Sequence, residues 1–224
     1  MRIFELYKPV DEGVNDPHIF KAVFIAGAPG SGKSYVANSL LGGTGLKFVN
    51  SDDVYEHLMK KAGLDISQPE VIASPQGQET REKAKKLSAK QKGNYLQGRL
   101  GLLIDGTGKR VERYAQTSRM LRDLGYDTAL LFVNTSLEVA KERNKERPRQ
   151  LPDEMIEKMW NQVHQNQMKF QQVFGADKFF IIDNSEGVED PGRAENFNNV
   201  YKQLMNFINK PPSHRKALSW IASN

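Results

Sequence analysis

The 224-residue chain reads as an α/β domain built on a mostly parallel sheet with helices on both faces. Two observations predict it. Apolar runs of strand length alternate with segments whose apolar residues recur at helical spacing, and a glycine-rich stretch joins the first such run to the first helix. Lys21 to Ala26 is a short apolar run ending at glycine, the pattern of a buried strand. From Lys33 to Leu41 the apolar Val36, Ala37, Leu40 and Leu41 share one helical face, and Gly42-Gly43 supplies a stop. Leu46 to Val49 is a second strand. Asp53 to Lys61, with Val54 and Leu58 four apart, is a short helix.

Glu79 to Gln97 is polar, lysine-rich and helical, and Leu100 to Ile104 is a third strand. Val111, Ala115, Ser118, Leu121 and Leu124 form the inner stripe of the next helix, which Gly125 closes. Thr128 to Val133 is a fourth strand. Thr135 followed by Glu138 has capping-box spacing and opens another helix. The proline-flanked stretch Pro148 to Pro152 separates that helix from a long one over Asp153 to Phe174. Lys178 to Ile182 is a fifth strand, and Ala194 to Asn209 a last helix ended by Pro211-Pro212. On this reading residues 1–19 are an N-terminal extension, 20–210 the domain and 211–224 a C-terminal tail, with no internal repeat.

Composition excludes several classes. A hydrophobic fraction of 38% with 26% charged residues is that of an ordinary globular protein, neither disordered nor membrane-spanning. No apolar run approaches the ~18 residues of a membrane span, and the first residues lack the pattern of a signal peptide. The absence of cysteine rules out a disulfide framework and fits a cytoplasmic setting. The four histidines are scattered singly, unlike a zinc site. A net charge of +5 gives a slight preference for polyanionic partners.

Gly27-Ala28-Pro29-Gly30-Ser31-Gly32-Lys33-Ser34 matches G-x-x-x-x-G-K-[ST] in full, between a strand and a helix. Glycines there let backbone N–H groups turn inward around a phosphate, and the helix N-terminus adds its dipole. Lys33 would reach the β- and γ-phosphates of ATP, and the Ser34 hydroxyl would ligate Mg²⁺. These residues predict nucleotide triphosphate binding.

A phosphate loop serves switches, motors and kinases alike. Transfer to a hydroxyl also needs a base near the γ-phosphate and mobile arginines against developing charge. Asp52, at the end of the second strand in Val49-Asn50-Ser51-Asp52-Asp53, is the candidate base, with helix capping as its alternative role. Asp53 is the better N-cap. Leu102-Leu103-Ile104-Asp105 ends a strand in an acid of the kind that orients Mg²⁺-bound water or an acceptor. The following Gly106-Thr107-Gly108-Lys109-Arg110 reads as a substrate loop, with Thr107 and Arg110 as contacts. Arg143, Arg147 and Arg149 cluster before Pro152, where a kinase lid would lie at about 141–152. The bland alternative is a solvated face, given Glu138, Glu142 and Glu146. Asp-Gly-Thr also occurs in haloacid-dehalogenase-like phosphatases, whose nucleophilic aspartate stands two residues earlier. That place is Leu103, so this reading fails.

The phosphate loop, the Val-Asn-Ser-Asp-Asp and Ile-Asp-Gly-Thr strand ends, and Arg143-Asn144-x-x-Arg147 with Pro152 resemble the bacteriophage polynucleotide 5′-kinase domain in order and spacing. Leu102 to Tyr126, with Asp-Gly-Thr-Gly and Leu-Gly-Tyr, resembles the zeta-toxin kinases, which carry glutamate where Asp105 stands. The resemblance spans roughly residues 20–185. It implies a three-layer P-loop NTPase fold with strand order 2-3-1-4-5, and a cytoplasmic setting such as that of a phage-infected bacterium. It also implies Asp52 as general base, Lys33 and Arg147 (with Arg143) as stabilisers of the transferring phosphoryl group, and Asp105 as a hold on the acceptor. The acceptor implied is a polynucleotide or nucleoside 5′-OH, or a nucleotide sugar. A third alternative is a module that hydrolyses ATP while acting on a protein partner.

Other features carry less. Arg81, Lys83, Lys85, Lys86, Lys90, Lys92 and Arg99 form either a polynucleotide track or a solvated helix. Trp160, on one face with Ile156 and Val163, reads as core. The tail Pro211 to Asn224, with Ala217 to Ile221 near its end, docks on the body or on a partner or, as most such termini, is merely mobile.

Overall fold

Strands β1 (Lys21–Ala26) and β4 (Asp127–Asn134) lie inside the sheet because most of their side chains are apolar and both faces are covered. The computed structural model describes residues 14, 16, 18–147, 150–185 and 191–224. Its sheet has five parallel strands in the order β2-β3-β1-β4-β5, as expected, with β2 (Lys47–Val49), β3 (Leu102–Asp105) and β5 (Phe179–Asp183). The half-buried β2 and the alternating β5 are the two edges.

Helices cover both faces. One face carries Val23, Ile25, Leu131 and Val133, packed against Val36 and Leu40 of α1 (Lys33–Leu41) and against the last long helix. The other carries Phe24, Leu130 and Phe132, packed against Tyr114 of α5 (Val111–Asp123), Val163 of α7 (Asp153–Gln165) and Phe170 of α8 (Gln167–Phe174). Each such fully buried side chain contributes roughly 1.5–3 kcal/mol. A smaller cluster of Tyr55, Met59 and Ala84 joins α2 (Ser51–Lys61) to α4 (Pro75–Gln97), behind the short α3 (Pro69–Ala73). Among the described residues no helix is long and apolar enough to cross a membrane.

Several helix boundaries depart from expectation, α9 (Pro191–Asn209) starting three residues early among them. The capping residue of α2 is Asn50, which accepts from the Asp52 N–H at 2.8 Å, so Asp53 sits inside the first turn. Helix α4 begins at Pro75 under a Ser74 cap. Helix α6 (Leu137–Lys145) is capped by Ser136, whose hydroxyl accepts from Val139, while Thr135 turns inward to the Asn184 carbonyl. The helix expected over Asp153 to Phe174 breaks at Asn166, whose buried amide donates to the carbonyls of Gly108 and Lys109, both at 3.0 Å. Beyond α9 (Pro191–Asn209) the tail forms α10 (Arg215–Ala222) and docks on the body. Ala217 is fully buried there, and Trp220 meets Phe20 edge-on at 5.5 Å.

Candidate active site

Because the strands are parallel, their C-terminal ends share one edge, and the sequence-predicted site residues that the structure describes lie there. The phosphate loop runs from Gly27 to the N-terminus of α1. Gly30 (φ 81°) passes so close to α6 that a Cβ would run into the Ala140 carbonyl, and Gly32 (φ 79°) lies against the Asn184 amide. Only glycine fits either place. Lys33 curls back over the loop and donates to the carbonyls of Gly27 at 2.9 Å and Ala28 at 3.2 Å. Burial pushes its ammonium below the ordinary lysine range; Asp105 opposes that, Arg147 adds to it, and Asp52 opposes it again. The charges of Asp105, Arg147 and Asp52 therefore all reach Lys33. Ser34 is exposed on a cavity of about 230 Å³ that it shares with Gly30, Lys33, Tyr35, Arg143 and Arg147.

The arginines expected on a lid, Arg143 and Arg147, come from the end of α6. Arg143 donates to the Asn184 carbonyl at 2.7 Å, and burial lowers its pKa, as does nearby Arg193. Arg147 is exposed at the cavity rim. Asn144 between them is buried and pairs both ways with the Leu151 backbone, at 2.8 and 3.1 Å, which fastens the returning chain. Pro148 and Arg149 lie outside the described residues, as does most of the 1–19 extension.

Asp105 lies on the wall of a second, larger cavity of about 440 Å³, with Thr107, Lys109, Arg110, Arg113 and Tyr114. Burial raises its carboxyl pKa, Lys33 counters that, and one carboxylate oxygen is buried without a hydrogen-bond partner. Its other oxygen accepts from the Asn50 amide at 3.2 Å, and the same amide donates to Asp53 at 2.9 Å. Asp52 and Asp53 are both exposed at the start of α2. Partial burial, then the charges of Asp105, Glu56 and Asp52, push Asp53 up to about 6.

Sequence reasoning missed Asn50, Arg113, Tyr114, Asn184 and Arg193. Only Asn50 carried a signal, being the first residue beyond a strand at the crevice edge. Trp160 is half-buried against the core, stacks on His164 at 3.7 Å and donates to the Thr135 carbonyl, so it offers no free platform. On α4, Lys83 and Lys85 pair with Glu79 and Glu82 at 2.7 and 2.6 Å, and Arg81 lies over Tyr55. That favours a solvated helix over a nucleic-acid track.

Sheet order, phosphate loop and the edge it occupies define a P-loop NTPase fold. A family model described as AAA domain matches residues 23–170, and the chain belongs to that family. No curated protein sequence matches it significantly. Among solved structures, one from the PezAT chromosomal toxin-antitoxin system of Streptococcus pneumoniae is 15% identical with a TM-score of 0.54, over 93% of this chain and 94% of that one. One from the Pnkp1/Rnl/Hen1 RNA repair complex is 22% identical with a TM-score of 0.52, over 70% of this chain and 48% of that one. One of AvrRxo1-ORF1:-ORF2 with ATP is 14% identical with a TM-score of 0.57, over 89% and 70%. At these identities the likeness is one of fold.

Proposed function

We propose that the chain is a kinase that uses ATP and Mg²⁺ to phosphorylate a hydroxyl, with a polynucleotide or nucleoside 5′-OH as the favoured acceptor. The observation that carries this reading is the position of Lys33 and Asp105 between two cavities. Lys33 lines the smaller one with the phosphate loop and both arginines, Asp105 lines the larger one, and each acts on the other's charge. A switch or motor has no need of the second cavity. In the reaction the acceptor oxygen bonds to Pγ, the bond from Pγ to the β-bridging oxygen breaks, and the hydroxyl proton passes to Asp52. Lys33, Arg143 and Arg147 hold the charge that spreads over the transferring oxygens. Asp105 receives the acceptor.

The residues present suit Mg²⁺: Ser34 offers an exposed hydroxyl, and Asp105 an oxygen that nothing else satisfies. Among the described residues no group of three or more acidic, histidine or cysteine side chains could hold a metal, so phosphates and water would supply most ligands. An ion held by these residues would supply positive charge against the phosphates.

The test is ATP turnover with candidate acceptors, comparing wild type with Asp52→Asn. The variant is expected to lose roughly 10²–10⁴-fold in kcat while its affinity for ATP holds. Labelled phosphate should appear on an oligonucleotide 5′ end; label on a nucleotide sugar instead would support the zeta-toxin-like alternative. Equal hydrolysis with and without every acceptor, unaffected by Asp52→Asn, would overturn the kinase reading and favour an ATPase module acting on a protein partner.

A further inference from the structure

His164 of α7 is caught between two acceptors. Its Nδ1 lies 2.8 Å from the Trp160 carbonyl, and its Nε2 lies 2.7 Å from Oδ1 of Asn134 at the end of β4. The other end of that amide, Nδ2, donates to Asp183 at the end of β5 at 3.2 Å. Asp183 also accepts from the Ser185 N–H at 2.9 Å and from its hydroxyl at 2.6 Å. Partial burial raises its carboxyl pKa, but Ser185, Asn134 and the His164 ring hold it below the ordinary carboxylate range. An ionised Asp183 fixes the direction of the Asn134 amide, because turning it over would set oxygen against oxygen. Asn134 then offers His164 only an acceptor, as the Trp160 carbonyl does. A neutral imidazole has one N–H, so both hydrogen bonds form only when the ring is charged.

The two ends of this network hold the start of α6. Trp160, stacked on His164, donates to the Thr135 carbonyl at 2.8 Å. Ser185, fixed by Asp183, accepts from the Ser136 N–H at 2.9 Å. Helix α6 begins at the next residue, bears Arg143, and lies on Gly30 of the phosphate loop through the Ala140 carbonyl. From the elements packed around α7, β4 sets the edge of Phe132 against the imidazole and β5 brings Asp183, while Lys141 of α6 pairs with Glu157 of α7 at 3.0 Å. Among the described residues Asp183 is the charge that acts on His164. Burial pulls the imidazole below the ordinary histidine range, and the Trp160 carbonyl and Asp183 oppose it. The network therefore closes on the acidic side of neutrality.

We propose that His164 is a proton-dependent positioning residue: when charged it holds the start of α6 through Trp160, Asn134 and Asp183, and so seats Ala140 and Arg143 against the phosphate loop. Loss of the proton leaves a lone pair facing an oxygen at one of the two contacts, and the ring or the amide must move away. The device rests on nucleotide binding at Gly27 to Ser34 and not on the identity of any acceptor. By linkage, a nucleotide that binds the charged form more tightly must in turn raise the affinity of His164 for its proton.

Titration of the histidine ring signals by NMR, with and without a non-hydrolysable ATP analogue and Mg²⁺, tests this; the signal lost in His164→Gln identifies the residue. The analogue is expected to raise the His164 pKa by about 0.7, as roughly fivefold tighter binding to the charged form requires. Asp53 and the terminal phosphate of the nucleotide titrate in the same range, and His164→Gln keeps both. The fivefold change is therefore read as the difference between wild type and variant in how affinity for the analogue follows pH. Asp183→Asn, which keeps the imidazole, should lower the His164 pKa and weaken the linkage. A His164 pKa indifferent to the analogue, or a His164→Gln protein whose affinity follows pH as wild type does, would overturn the proposal. Absence of analogue binding at every pH would remove the proposal and the nucleotide site together. If the linkage is found but no acceptor is ever phosphorylated, the positioning role stands and the kinase reading fails. If an acceptor is phosphorylated and no linkage is found, the reverse holds.

Discussion

Asn50 holds two carboxylates together with one amide. Its oxygen caps α2, while its nitrogen donates to Asp53 and to Asp105, which would otherwise repel each other across the crevice. Asp53 bears the cost, at a pKa of about 6. An acid whose folded pKa lies above its unfolded value of ~3.9 holds more protons folded than unfolded between those values. Stability therefore falls as pH rises from about 4 to 6 and stays lower above that. Asp53→Asn keeps an oxygen for the Asn50 amide and removes the charge. It is expected to stabilise the protein by about 1 kcal/mol at pH 7.5, solvent screening at this exposed position limiting the gain. That corresponds to a Tm rise of roughly 2–4 °C, fading to nothing at pH 4. Melting curves from pH 4 to 8 that superpose on wild type would refute it. Asp52 and Asp105 were legible because each follows an apolar strand run. The role of Asn50 was not, since a cap that also reaches another strand's carboxylate is a tertiary fact.

Elements meet through Asn184, just beyond β5. Its side chain donates to the Ser31 carbonyl of the phosphate loop at 2.9 Å and accepts from Arg193 of α9, also at 2.9 Å. Its backbone carbonyl receives Arg143 of α6, and its N–H reaches Asn134 at the end of β4. One buried residue thus ties together four elements around the phosphates. Asn184→Ala would leave the buried Ser31 carbonyl without its partner and take one acceptor from Arg193. The expected loss is about 2 kcal/mol of stability, with ATP binding weakened roughly tenfold as the loop loosens. Calorimetry with ATP and denaturant melts measure both, and unchanged ATP affinity would show that the loop holds its shape alone. Nothing local marks this asparagine, whose partners lie far off in sequence. The break at Asn166 was hidden for the same reason, because the apolar positions Ile156, Met159, Val163, Phe170 and Phe174 run past it. What stops the helix is a loop nearly sixty residues earlier.

At the scale of the whole molecule, the parallel sheet separates chemistry from support. Strand ends carry the phosphate loop, Asp52, Asp105 and Asn184 to one edge, which is why alternating strands and helices with acids at strand ends sufficed to foresee that layout. The opposite edge is structural. Lys21, almost wholly buried, pairs with Asp127 at 2.6 Å where β1 and β4 begin. Beside it α10 covers the core, with Ala217 against Gly125, Trp220 on Phe20, and Lys216 donating to the Asp123 carbonyl at 2.6 Å. Sequence left this helix undecided between docked and free, since Ala217, Trp220 and Ile221 reveal their inward face only once Phe20 is placed beneath them. Deleting residues 211–224 would expose Phe20 and its aromatic neighbour Tyr126 to water. By area that costs roughly 2–4 kcal/mol, or a Tm drop of about 5–10 °C at this chain length. The site lies at the opposite edge of the sheet from α10, so the truncated protein should bind ATP as the full chain does. Thermal melts paired with ATP titration below the melting range separate the two effects. A truncated protein that kept its Tm but lost ATP affinity would mean that α10 acts on the phosphate edge rather than on the core.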